Sequence, residues 1–252
     1  MRTLRTCLFL AVFSSVGVAP AVTQTNDLAF MYQMKVEMGS EMAFESAWKE
    51  HLAFREANGE PFNWQVFQVV FGDQSGAYLI RSGSHSWADM DSYGSMPDFQ
   101  QSAGNHFGAT VGPLIAEVSS QISVLDTAMS HVPPNVADMN VFMITQVHAD
   151  ASAQMEMEEA LAAYHQTATA NDRYHGVIRT IAGGSGSSFT IVAYAENFAG
   201  LEEESPSMTQ LMIEEHGEDD FQDIAQAWLS GVGAANTSVI MLRRDLSSGS
   251  GN

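Results

Sequence analysis

The chain has almost no thiol chemistry to offer, because its one cysteine is Cys7. With no second cysteine there is no intrachain disulfide, and multi-cysteine metal sites are excluded. Positive charge is equally scarce. Ten lysines and arginines face thirty aspartates and glutamates, for a formal net charge of -20, and the lysines are Lys35 and Lys49 alone. Such a surface repels nucleic-acid phosphates and anionic lipid, which argues against both as partners. Long apolar runs are missing too: Cys7-Leu8-Phe9-Leu10-Ala11-Val12-Phe13 falls far short of the roughly 20 residues of a membrane span. Catalytic signatures are absent as well. Gly183-Gly184-Ser185-Gly186 lacks the lysine and the following helix of a phosphate loop, and neither Ser84 nor Ser185 sits in a nucleophile elbow.

What is present begins with a targeting pattern. Arg2 and Arg5 precede the apolar run, and Val18-Ala19-Pro20-Ala21 follows it. A basic start, a short apolar stretch and an A-x-A site read as an export signal over residues 1–21, cleaved after Ala21, which places the mature protein in the periplasm or outside the cell.

The remainder is written twice. At a shift of 111, Lys35-Val36-Glu37-Met38 falls on Gln146-Val147-His148-Ala149; after one deletion, Trp64-Gln65-Val66-Phe67 meets Tyr174-His175-Gly176-Val177. Each copy reads strand, helix, hairpin, helical stretch, strand. The first repeat is expected over 27–128, the linker over 129–139 around Pro133-Pro134, the second repeat over 140–246, and a disordered tail over 247–252. In the first copy, strand is expected over 29–38, helix over 42–57, a hairpin of 64–71 with 77–82, helix over 84–96, glycine-broken helix over 99–118, and strand over 121–127. In the second, the order is strand 141–148, helix 152–170, strands 174–182 and 188–195, helices 208–217 and 219–229, and strand 238–243.

Strand-helix-strand-strand-helix-strand is the split motif of ferredoxin-like α+β folds, with helices on one face of the sheet. Trp64, Val66 and Val70 occupy one face of the hairpin strand, and Phe67, Val69 and Phe71 the other. A sheet apolar on both faces needs a second cover, which the sibling copy can provide by packing sheet to sheet. The helix closed by Asn58-Gly59, the strand from Trp64 to Phe71, and Ser86-Trp87-Ala88-Asp89-Met90 opening a second helix resemble the dimeric alpha-beta barrel superfamily, in tandem forms related to antibiotic biosynthesis monooxygenase domains. The resemblance implies an intrachain dimer, with further pairing of chains left open, and a ligand cavity between helices and sheet of one repeat. It also brings in cofactor-free monooxygenases and haem proteins. The haem-degrading members use an asparagine, a tryptophan and a histidine, and no such trio stands at matching positions.

Candidate side chains follow from the stripes. On the first helix Phe44, Ala47, Trp48, His51, Leu52 and Arg55 share a face, and on its counterpart His165 lies beside Tyr164. His51, Arg81 and His165 are the catalytic candidates, because imidazole moves protons near neutral pH and positive charge is rare here. Trp48, Trp64, Phe67 and Tyr164 are the expected ligand walls. His148 and His175 could meet on adjacent strands to hold zinc or copper, but the first copy lacks a counterpart and no metal site is expected. Arg179 should pair with carboxylates, and the methionines should fill the core. The expected function is binding of a small apolar ligand or a protein partner by an exported acidic barrel. The alternative is a monooxygenase-like or haem-using oxidoreductase.

Overall fold

The computed structural model describes residues 28–150, 152–184 and 189–249; the expected export signal and most of the glycine-rich 183–187 loop lie outside them. The first half runs β1 (Leu28–Val36), α1 (Glu41–Ala57), β2 (Gln65–Phe71), β3 (Tyr78–His85), α2 (Trp87–Gly94), α3 (Pro97–Thr110) and β4 (Ile115–Leu125). The second runs β5 (Val141–Ala149), α4 (Gln154–Ala170), β6 (Gly176–Gly183), β7 (Phe189–Ala195), α5 (Met208–His216), α6 (Glu218–Gly231) and β8 (Val232–Leu242).

The eight strands form one closed antiparallel barrel in the order β1-β3-β2-β8-β5-β7-β6-β4. Each half contributes four consecutive strands, β4-β1-β3-β2 and β8-β5-β7-β6, and the halves meet along two seams. At one, β2 pairs with β8 from Phe67↔Leu242 to Phe71↔Val239; at the other, β4 pairs with β6 from Gln121↔Gly183 to Leu125↔Ile178. The halves therefore join edge to edge as well as meeting face to face. Closure pairs both edges of every one of these eight strands.

Alternation along the strands sorts side chains into three cores. Trp64, Val66, Tyr78 and Ile80 turn outward against Phe44, Trp48 and Leu52 of α1. Phe67, Val69 and Leu79 turn inward and meet Phe142, Val192 and Ile240 of the other half. Val147, Val177 and Phe189 pack under Met157 and Leu161 of α4. Phe71, expected on the same apolar face as Phe67 and Val69, is 61% exposed, because the β2–β8 register slips between Val69 and Phe71. The methionines divide: Met34, Met139, Met157 and Met212 are buried, whereas Met38, Met42 and Met155 are exposed.

Both seams carry an arginine clamp. Arg243, just beyond β8, grips Glu45 of α1 in bidentate fashion at 2.6 and 2.8 Å and reaches Asp245 at 2.9 Å. Arg179 on β6 holds Glu158 at 2.6 and 2.7 Å and Asp126, just beyond β4, at 2.6 Å. The carboxylates hold both guanidinium groups in the charged form, and Asp245 is pulled down to about 2 by Arg243.

Several expected elements are corrected. Gly104 and Gly108 do not break α3, which runs unbroken from Pro97 to Thr110; two interior glycines cost about 1 kcal/mol each, which burial of Phe99 and Ala103 on the α1 side can offset at roughly 2 kcal/mol for a large side chain. Residues 115–118, expected as helix, begin β4 because β1 pairs with them from Val36↔Ile115 to Met34↔Val118. β8 likewise starts six residues before the expected Ser238, along β5. Ser40 makes no side-chain cap on α1, whereas Ser86 and Asp89 close a capping box on α2. At the start of the expected tail, Ser247 Oγ accepts from Val66 N at 2.9 Å and Ser248 N donates to Trp64 O at 2.8 Å, and Leu246, the last residue of the expected second repeat, is fully buried. His131, placed in the linker, bridges by backbone to His175.

Candidate functional site

α1 turns Trp48, His51 and Arg55 toward the outer face of the first half's strands, and α2 and α3 close over the gap beside it. The space left is a cavity of about 740 Å3. Its walls include the aromatic side chains of Phe30, Trp48, Phe62, Trp64, Tyr93 and Phe107, with Gln100, Ser120 and Gln121 among the polar lining. Val118 and Ile122 of β4 line another side, together with Ala182 and Gly183 from the second half. Gly183 is required there, since a Cβ would stand 2.3 Å from Ser120 O and φ is +74°.

The charge on this wall is internally cancelled. Arg55 pairs with Glu60, whose side chain is 2% exposed, and donates to Tyr93 Oη at 2.6 Å. Its guanidinium lies 5.2 Å from the centre of the Trp64 ring. Two buried polar atoms on the cavity residues have no hydrogen-bond partner, Nε2 of His51 and Nε1 of Trp64. The other nitrogen of His51 lies 3.2 Å from His106 Nδ1. Burial, with smaller contributions from Arg55 and His106, brings the His51 pKa down to about 4, so the ring is neutral at physiological pH. Trp48 plays a different part, its Nε1 donating at 2.9 Å to Leu246 O.

Of the sequence candidates, His51, Trp48 and Trp64 are brought together in this cavity, and Arg81, Phe67, Tyr164 and His165 are not. Phe67 belongs to the barrel interior. Arg81 alternates with outward Ile80, falls on the interior side and donates to Gln65 Oε1 at 3.2 Å, while burial lowers its pKa. Tyr164 and His165 sit in the second half around His175: His165 Nδ1 is 3.0 Å from His175 Nε2, and the Tyr164 ring stands edge-on at 5.2 Å. Burial lowers the His175 pKa. His148 and His175 do not meet, because β7 separates β5 from β6. Among the described residues no cluster of three or more metal-ligating side chains occurs, and no helix is long and apolar enough to cross a membrane. Arg179 pairs as expected.

Sequence reasoning missed Phe30, Phe62, Tyr93 and His106. Phe30 lies on a strand expected from alternation, so its facing was derivable. His106 stands between Gly104 and Gly108, where nothing local signals a contact with a residue 55 positions away.

No protein-family model matches the sequence, and no curated protein matches it. Solved structures do. An anthrone oxidase-like protein superposes with a TM-score of 0.53 at 12% identity, over 89% of this chain and 94% of that one. A protein assigned as a monooxygenase, from Fusobacterium nucleatum subsp. nucleatum, gives 0.50 at 10% identity, over 87% and 93%. One assigned as a chlorite dismutase gives 0.50 at 13%, over 86% and 95%. What this chain shares with these three proteins is the fold. At these identities the likeness concerns this α+β barrel architecture of eight antiparallel strands and six helices, and not its chemistry.

The residues of this cavity bear on whether haem would fit it. His51 offers an imidazole nitrogen without a partner, as an axial ligand must. Haem also brings paired carboxylates, and Arg55, the one cation among the described residues that line the cavity, is already neutralised by buried Glu60. The donor set does not fit the group, because an unpaired anion placed beside a buried, satisfied ion pair is costly.

Proposed function

We propose that the protein binds a small, flat, uncharged aromatic molecule in the first-half cavity, as an exported, internally duplicated barrel whose two repeats act as a fused dimer. The observation that carries this reading is a cavity of about 740 Å3 with aromatic side chains in its wall, where, among the described residues, His51 Nε2 and Trp64 Nε1 are buried side-chain atoms without a hydrogen-bond partner. The volume lies in the range of roughly 300–1,000 Å3 usual for small-molecule sites, which are mostly apolar with a few convergent polar groups. A buried polar atom without a partner costs about 1–3 kcal/mol, so a ligand that satisfies both atoms recovers that cost. The Arg55–Glu60 pair leaves no net charge for an anion to answer.

Titration with 2-naphthol, followed by quenching of tryptophan fluorescence, tests the reading. Saturable binding by the full chain, weakened about tenfold in Trp64→Phe, is expected; that factor corresponds to the loss of one hydrogen bond of about 1.4 kcal/mol. Binding unaffected by Trp64→Phe, or absent, removes the support.

Oxidation of the bound molecule is the second reading, favoured by a neutral imidazole on the cavity wall and in keeping with the name of the anthrone oxidase-like neighbour. Anthrone would serve as the probe: its methylene becomes a carbonyl, with one atom of dioxygen entering the product and the other leaving as water. A pKa near 4 makes His51 a weak base at neutral pH, since an efficient general base has a pKa near the working pH. Dioxygen uptake with anthrone, lost in His51→Leu, is the expected result of this reading; uptake equal to that without protein would eliminate it.

A further inference from the structure

The proton on His51 occupies one of two nitrogens, and its neighbours decide which. His106 approaches His51 through Nδ1 at 3.2 Å, and its other nitrogen, Nε2, stands 3.9 Å from a carboxylate oxygen of Glu50. A carboxylate favours a proton on the nitrogen that faces it, so Glu50 biases His106 toward the form with its hydrogen on Nε2 and a lone pair at Nδ1. Two lone pairs do not attract, so the 3.2 Å contact requires a hydrogen on His51 Nδ1. Thr110 is the competing contact: its hydroxyl hydrogen goes to His106 O at 2.7 Å, so its oxygen, 3.4 Å from His106 Nδ1, offers a neutral lone pair against the full negative charge of Glu50 at Nε2. The atom then left on His51 is a bare Nε2, an acceptor, fully buried and unpartnered. Trp64 Nε1, also unpartnered, can only donate.

We propose that Glu50 and His106 are positioning residues that lock His51 as an acceptor, and that the cavity thereby selects an aromatic ligand carrying a neutral hydroxyl for His51 Nε2 and an oxygen acceptor for Trp64. The second part rests on the cavity being the ligand site; the first is a property of the ligand-free protein. Selection against the wrong ligand works through what is left unmet. A methyl ether in place of the hydroxyl brings no proton to His51, and an anionic ligand oxygen faces the lone pair of a neutral ring. Sites built around a substrate hydroxyl discriminate strongly against analogues that lack it.

Nitrogen-15 NMR of histidine-labelled full-length protein at neutral pH reads the tautomer directly, and binding of 2-naphthol and 2-methoxynaphthalene reads the selection. In the wild type His51 is expected as the Nδ1–H form, in His106→Gln likewise, because the amide oxygen still accepts, and in His106→Phe as a mixture. 2-Naphthol is expected to bind about tenfold more tightly than its methyl ether, with the preference falling to twofold or less in His106→Phe while the ether's own affinity stays the same. A merely structural role for His106 would weaken both ligands together. Finding His51 as the Nε2–H form overturns the lock. Equal affinities with the Nδ1–H form in place overturn the selection, and failure of both ligands to bind overturns the cavity reading while leaving the tautomer result to stand.

Discussion

At the scale of single residues, His51 shows what a stripe can and cannot reveal. Its place on the buried face of α1 was legible from spacing with Phe44, Trp48 and Leu52. Its dependence on His106 was not, since that contact is made between helices. The same holds for Trp64 and Phe67: alternation put them on opposite faces, and only the barrel's curvature shows that one lines a cavity and the other the interior. Burial of His51 also has a thermodynamic signature. The ring's pKa falls from 6.5 to about 4, so the unfolded chain takes up a proton at a pH where the folded chain does not. Its contribution is therefore fully present above about pH 6.5 and is lost as pH falls toward 4, by up to about 3 kcal/mol. Burial lowers the His85 and His175 pKa values in the same direction. Urea unfolding at pH 7 and pH 4.5 should show His51→Leu losing less stability on acidification than the wild type by on the order of 2 kcal/mol; parallel losses would contradict the assignment.

At the scale of elements, the C-terminal segment was the least legible. Ser247-Ser248-Gly249 has a linker's composition, yet Leu246 ahead of it fills the first half's outer core and the serines bond to β2. One apolar residue in a polar stretch carries no periodicity, so the contact with Trp48 and β2 had no local signal. Leu246→Ala should cost about 2–4 kcal/mol, as cavity-forming substitutions in cores do, measured by the shift in urea midpoint. The hairpins and the helices other than α3, by contrast, were found within a few residues because their periods and caps are local; α3 ends eight residues before the expected Val118. β4 and β8 were underestimated because Ser119-Ser120 and Gly233-Ala234-Ala235 show no alternation, and pairing with β1 and β5 supplies what the sequence pattern lacks. The Arg243 clamp belongs to this scale as well. Removing it by Arg243→Ala leaves Glu45 partly buried with only Tyr78 Oη at 2.8 Å as a donor, and should cost about 2–4 kcal/mol. Arg243→Lys, which keeps the charge and loses the fork, should fall between the two in thermal melting.

At the scale of the whole molecule, the matching order of elements in the two halves was legible in the sequence, and the manner of joining was not. Nothing in Phe67 to Phe71 announces that β2 will bond to β8 and not to a second chain. Once joined, each half covers the interior face of the other through Phe67, Leu79, Phe142 and Ile240. Residues 28–139 or 140–249 expressed alone should consequently associate or aggregate, with an oligomer in analytical ultracentrifugation; a soluble monomer that melts cooperatively would show that neither half needs its sibling.

The seam between β4 and β6 holds a further implication. Ile122, Ala182 and Gly183 form part of the cavity wall and part of the inter-half ladder at once, so whatever occupies that space presses on the zipper that closes the ring. Amides of this ladder, read by deuterium uptake, should slow their exchange when the cavity is filled, and those of the opposite β2–β8 ladder should not, making one flank of the barrel a reporter of occupancy.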